Sequence, residues 1–373
     1  MAPLPAVDDD APWEWEERVV GRSLGVALPA RIGPFAVQST LGMKDGATVY
    51  HAVDPGGAGE VTVVVPPVRI LAAVGPAGWL AFLDRAGQLV GLRHPGIVPV
   101  LDAGVTGLSV YLASAHVAGP TLAERLAEGG RLAPLRAVEV AADLATALAH
   151  AHALGIVHRD ITPARVRFAP GGAAMLGEFC LDPPSLLAEM GVEATPSYAA
   201  PERLAAEPGP FLPASDQYSL GAVLYEMICG RPPYDGPAWR VIDEVRTDEP
   251  IPPRDWRPRL SRTLERICLR AMARDPAARY ASCQDLARDL RRWARRAGAA
   301  SDAVGSLRTA ALWVRRRPAA ALTAALAVVG VVATTTVITF ALIASTALAP
   351  YNVVAPRRDT TDHSALASNP DRP

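Results

Sequence analysis

The chain holds a single lysine, Lys44, among its 373 residues. Its other basic residues are arginines, so any chemistry that needs an ammonium group has one position to draw on. Cysteine is also scarce. Cys180, Cys229, Cys268 and Cys283 form no C-x-x-C pair and have no histidine at metal-ligand spacing. That argues against a disulfide framework or a cysteine-based zinc site and fits free thiols in a reducing compartment. No excess of one charge exists either: the net charge is -1 and the pI about 6.7. A global case for nucleic-acid binding is therefore absent. The seven histidines are scattered. His150 and His152, two apart on an expected helix, point to different faces and read as structural.

Apolar residues are plentiful, at 50% of the chain with a mean hydropathy of +0.16. From Ala319 to Ala349 no residue is charged, a run longer than the roughly 20 residues a spanning helix needs. The sequence therefore predicts a transmembrane helix over 318–342. A basic juxtamembrane segment (298–317, with Arg315, Arg316 and Arg317) precedes it, and a short extracytoplasmic tail (343–373) follows. The arginine cluster places residues 1–317 on the cytoplasmic side of a single-pass cell-membrane protein.

Residues 1–31 mix proline, alanine and acids and are expected to form a weakly ordered leader. From Ile32, "FAVQSTLG", "ATVYHAV" and "VTVVVPP" alternate with Gly, Asp and Pro turns, which predicts a small antiparallel sheet. Residues 78–93 have helical spacing, and further strands are expected near 97–102 and 109–115. From Thr121 helices dominate: a long one closed by Gly155, one started by Ser215 or Asp216 and stopped by Gly230, and amphipathic stretches at 260–273 and 282–298. A β-rich part followed by a helical part gives the class α+β with two lobes, 32–117 and 118–297.

Five strings carry more: "HPGIVPVLDAG", "HRD", "TPSYAAPE", "DQYSLGAVLYEMICGRPPY" and "RDPAARY". In this order and spacing they resemble a bacterial eukaryotic-type Ser/Thr protein kinase with a C-terminal membrane anchor, over about residues 32–297. The resemblance implies a two-lobed protein kinase-like fold. It implies that Glu202 of Ala200-Pro201-Glu202 pairs with Arg279 and that Asp216 holds the catalytic-loop backbone. It also implies that Leu89, Val100, His158 and Phe179 stack as an apolar spine. Asp160 matches the aspartate that accepts the substrate hydroxyl proton. The other reading, which the departures below favour, is that it persists as a cap on loop backbone groups.

The same resemblance exposes departures. Of the three phosphate-loop glycines only Gly42 remains; the others are Lys44 and Ala47, with Gly46 beside the last. Val49 and Thr62 line the implied nucleotide pocket. Val64 stands where the family has its phosphate-binding lysine, and Arg85 where it has the glutamate partner. The D-F-G position reads Glu178-Phe179-Cys180, so Glu178 is the candidate metal ligand. Arg165 replaces the asparagine ligand, and its fixed positive charge opposes a cation but could contact a phosphate. Thr162 replaces a loop lysine. Lys44 could act as a substitute phosphate lysine or be a solvated turn charge. Thr195 and Ser197 lie in the substrate-docking stretch of the activation segment.

The resulting expectation is a catalytically impaired, pseudokinase-like signalling scaffold or allosteric regulator with protein partners. The alternative is an active Ser/Thr kinase transferring the γ-phosphate of ATP, with Asp160 as base and Lys44 and Glu178 as substitute phosphate and metal groups. ATP and Mg²⁺ are cofactors of that alternative.

Overall fold

A computed structural model describes residues 28–44, 47–57, 59–66, 80, 83–107, 109–179, 195–205, 210–297 and 330–343. Most of the expected leader, the juxtamembrane segment, the first part of the expected span, the tail, Gly46, Cys180 and most of the activation segment lie outside these residues. The chain divides into two units, 1–300 and 301–373.

The first unit opens with a six-stranded sheet in the order β1-β2-β3-β4-β6-β5. Its strands are β1 (Arg31–Ile32), β2 (Phe35–Lys44), β3 (Ala47–Asp54), β4 (Gly59–Val65), β5 (Val100–Thr106) and β6 (Ser109–Ala115). All of its strand pairs are antiparallel. The period-2 pattern of "VTVVV" explains the sidedness of β4. Val61 and Val63 are fully buried, with Ile32, Phe35, Ala52, Tyr111 and Ala113, whereas Thr62 and Val64 are half-buried on the opposite face. Two boundaries differ from the sequence expectation. Arg31, assigned to the leader, already pairs with Ala36 in the sheet. The strand expected from 97 begins at Val100, because Ile97 instead makes an isolated bridge to Leu176.

A helix over residues 83–90 packs between the sheet and the helical part, with Leu89 buried in the larger core. At the crossing between the lobes the chain runs close to itself. A Cβ on Gly119 would sit 1.7 Å from the Phe168 carbonyl oxygen, so only glycine fits there.

Beyond the crossing, Thr121 closes a capping box with Glu124 at the start of the Leu122–Gly129 helix. The Pro134–Ala153 helix follows and buries one broad apolar face. The small hairpin β7 (Val166–Phe168) and β8 (Ala174–Leu176) comes next. The Pro213–Cys229 helix is buried almost all round, and Gly230, in the left-handed region, ends it. Ser215 and Asp216, expected to start this helix, lie inside its first turn. Leu212 is the N-cap and Pro213 opens the helix. The two polar side chains are used elsewhere: Ser215 Oγ donates to Glu202 and Asp216 reaches the loop before β7.

Arg279 ties three segments of the helical lobe together. Its guanidinium is fully buried and pairs in a fork with Glu202 at 2.9 and 2.8 Å. It also donates to the carbonyls of Ala214, Ala273 and Arg274. Burial alone would raise the Glu202 pKa, but the hydrogen bonds and charge of Arg279 win and hold it below its ordinary 4.5.

In the second unit, residues 330–343 are helical with exposed apolar side chains such as Val331, Val337 and Phe340. Thr334, Thr336 and Thr339 donate their hydroxyls to the carbonyls of Gly330, Val332 and Thr335. Among the described residues no helix is long and apolar enough to cross a membrane.

Arg279→Ala should strand the Glu202 carboxylate, and its expected cost is about 3–5 kcal/mol in urea unfolding at neutral pH. Because the folded-state pKa of Glu202 is lowered, its contribution is present above pH 4.5 and lost as pH falls through the folded-state value. The gap between wild type and variant should therefore narrow in acid; a gap independent of pH would reject this account.

Candidate active site

The loop 156–165 takes its shape from what surrounds it. Gly155, at φ 74°, turns the chain out of the long helix, and Ile156 and Ile161 are pinned in the core. His158 is fully buried. The Asp160 N–H donates to its Nδ1 at 3.3 Å, so Nε2 carries the proton and donates to the Gly177 carbonyl at 2.9 Å. Burial pushes the His158 pKa below its ordinary 6.5, which keeps the ring neutral. Its ring lies 4.4 Å from that of Phe179. Leu89, Val100, His158 and Phe179 are all buried, and the three apolar members belong to one core.

Arg159 sits at φ 80°, a left-handed conformation that costs energy for a residue with a Cβ. The turn is held by Asp216, whose carboxylate accepts the N–H groups of His158 (2.7 Å) and Arg159 (2.8 Å). His152 Nε2 lies 2.8 Å from the same carboxylate. The expected role of Asp216 therefore has a geometry: two backbone donors converge on one buried acceptor. His152, read from sequence as structural, is its third partner.

The centre of the site is an arginine between two acids. One guanidinium nitrogen of Arg165 is paired with Asp160, and the other donates to Glu178 Oε2 at 2.7 Å. Arg165 is only 15% exposed, with Asp160 at 26% and Glu178 at 31%. Glu178 reaches this position from a backbone at φ 58°. A divalent cation would have to share this place with a permanent positive charge at hydrogen-bond distance from both carboxylates. The donor set as arranged does not fit Mg²⁺. Thr162, within the loop, is buried.

On the sheet side, β2 and β3 pair from Ala36–Val53 to Lys44–Ala47, which leaves two residues for the connection. Gly42, at φ 129°, pairs with Val49 beside an irregularity in the ladder. Val49 pairs with Val64, and Val64 with Leu112. Val64 is thus part of an aliphatic cross-strand row. The Lys44 side chain lies outside what the structure describes. Arg85 donates to the Val157 carbonyl and so ties its helix to the loop just before His158.

Two features escaped sequence reasoning. Arg165 pairs with the acids rather than standing open toward a phosphate. Thr62 Oγ1, on the implied nucleotide face, is hydrogen-bonded at 3.0 Å to His116 Nδ1. The register of β4 against β6 would have brought His116 beside Thr62, but that register is not local in the sequence.

The protein kinase domain family matches residues 86–290. Serine/threonine-protein kinase PknB of Mycobacterium leprae is 34% identical over 240 residues, which cover 61% of this chain and 38% of that protein. Serine/threonine-protein kinase PkaA of Streptomyces coelicolor is 38% identical over 220 residues, covering 57% and 39% respectively. The chain thus spans well under half the length of these curated relatives. Among solved structures, the PknI kinase domain of Mycobacterium tuberculosis is similar with a TM-score of 0.58 at 26% identity, covering 71% of this chain and 99% of that one. The family match takes in more than half of the chain, and the fold is a β-rich lobe joined to a helical one: the chain belongs to the protein kinase family, and these relatives are bacterial serine/threonine kinases.

Proposed function

We propose that this chain is a membrane-anchored pseudokinase, a kinase fold that acts through protein contacts as a scaffold or regulator. The observation that supports this reading is Arg165. Phosphoryl transfer depends on positioned positive charge and metal around the transferred group. Here the base candidate Asp160 and the metal candidate Glu178 are both ion-paired to one guanidinium, which occupies the place between them. Val64 replaces the strand lysine, Arg85 replaces its glutamate partner, and two loop glycines are absent. Loss of one stabilising arginine in related chemistry costs about 10³–10⁵ in rate, so several such losses together leave little transfer. The fold without this chemistry is still suited to biasing a partner between two states, which requires differential contacts with each.

The anchor rests on the uncharged run from Ala319 to Ala349, preceded by three arginines. Helical backbone and threonine hydroxyls satisfied within the helix over 330–343 are what a lipid environment demands.

Full-length protein incubated with labelled ATP, Mg²⁺ or Mn²⁺ and protein substrates should transfer no more phosphate than its Asp160→Asn variant. Transfer that this substitution abolishes would establish the active-kinase alternative, and Lys44→Met would then test the substitute lysine.

Arg165→Asn removes the guanidinium from between the two acids. In a thermal-shift titration, the variant should gain a Mg²⁺-dependent response of several degrees that the wild type lacks. Equal responses in both proteins would remove Arg165 as the obstacle to metal.

On fractionation of host cells, the full chain should stay in the membrane pellet after alkaline carbonate extraction. A chain truncated after residue 317 should not. Release of the full chain would reject the anchor.

A further inference from the structure

Apart from the cleft acids, three potential ligands meet on the sheet of the first unit. His51 lies on β3, paired in register with Thr62 of β4. Glu60 lies two residues before Thr62, on the same face of β4. His116 follows β6, and its N–H donates to the Glu60 carbonyl at 3.0 Å, so it stands beside Glu60 across the ladder. One ligand atom from each of the three lies within 4.8 Å of the others. The two imidazole rings are 5.0 Å apart, and Glu60 Oε2 is 3.7 Å from His51 Nε2.

Two further observations separate this cluster from an ordinary surface group. His51 Nε2 is buried and makes no hydrogen bond among the described residues. His116 is held at one ring nitrogen by Thr62 Oγ1, which fixes the ring and leaves its other nitrogen available. Metal-bound imidazoles are usually oriented by such an outer hydrogen bond.

We propose that His51, Glu60 and His116 form a transition-metal site of the zinc class. Two imidazoles and a carboxylate suit Zn²⁺ rather than Mg²⁺. Three protein ligands leave a fourth tetrahedral position for water or another ligand. The ion clamps β3, β4 and the start of the interlobe segment together. It lies on the strand face that carries Val49 and Thr62, and it is separate from the acids around Arg165. The proposal does not depend on whether the chain transfers phosphate.

The test uses the full chain without a histidine tag, titrated with ZnCl₂ against a chromophoric chelator. One equivalent should bind, with no competition from excess Mg²⁺. His51→Ala and His116→Ala should each weaken binding by more than about tenfold, and Thr62→Val by about tenfold through the lost orienting bond. His94→Ala, which removes a histidine whose ring lies 5.2 Å from that of His150, should leave binding unchanged. Affinity should fall in acid, because only a neutral imidazole ligates a metal. Absence of stoichiometric binding, or binding indifferent to both histidine substitutions, would overturn the site. X-ray absorption of the zinc-loaded wild type needs no variant to fold: a shell of nitrogen and oxygen supports the site, and sulfur in the shell overturns it.

Discussion

The catalytic-loop geometry depends on the buried carboxylate of Asp216. Two successive N–H groups, of His158 and Arg159, point the same way because Arg159 is held in the left-handed region. Buried and unpaired, each would carry a desolvation cost of about 1–3 kcal/mol. Asp216 accepts both, and His152 from the long helix braces it. The helix that bears Asp216 is fixed in turn, because Arg279 donates to the Ala214 carbonyl and to Glu202, and Ser215 donates to Glu202. The loop that presents Asp160 is thus an output of charge pairs deep in the helical lobe.

None of these contacts involves a phosphate or a metal ion, so the shape of the loop does not depend on either. Removing one partner of a buried ion pair leaves an uncompensated charge, whereas replacing both does not. Where the family resemblance implies a strand lysine and a glutamate partner, this chain has Val64 and Arg85. Val64 joins an aliphatic row with Val49 and Leu112, and Arg85 finds the Val157 carbonyl. At the acids, Arg165 supplies the positive charge itself. A site that carries its own counter-charge has less need of a bound cation to be stable.

Much of the fold was legible from residue order. The alternation in "VTVVV" marks the inner and outer faces of β4, and Gly155 and Gly230 mark helix ends. The misjudged boundaries have a common cause. Ser215 and Asp216 carry the residue types of a helix start, but their side chains are engaged by Glu202 and the catalytic loop, and Pro213 opens the helix instead. Ile97 reads as strand and is diverted to a bridge with Leu176. In each case a distant partner outcompeted a local preference. The pairings around Asp216, Glu202 and Arg279 were readable through the family resemblance and not through spacing, since Glu202 and Arg279 lie in different segments of the lobe.

The sequence by itself determined the period of each strand and helix, the uncharged run from Ala319 to Ala349, and the chemical inventory of the cleft. With Lys44 as the only lysine, no strand ammonium can exist elsewhere. Which charges pair around Asp160 was decided by the tertiary structure alone. Arg165 meets Asp160 and Glu178 because a left-handed turn within the loop and a second left-handed residue at Glu178 bring the two segments together. His51, Glu60 and His116 meet because β4 pairs with both β3 and β6 in one particular register. Strand register is a property of the whole sheet: a slip of one residue would turn these side chains to the other face and disperse the cluster.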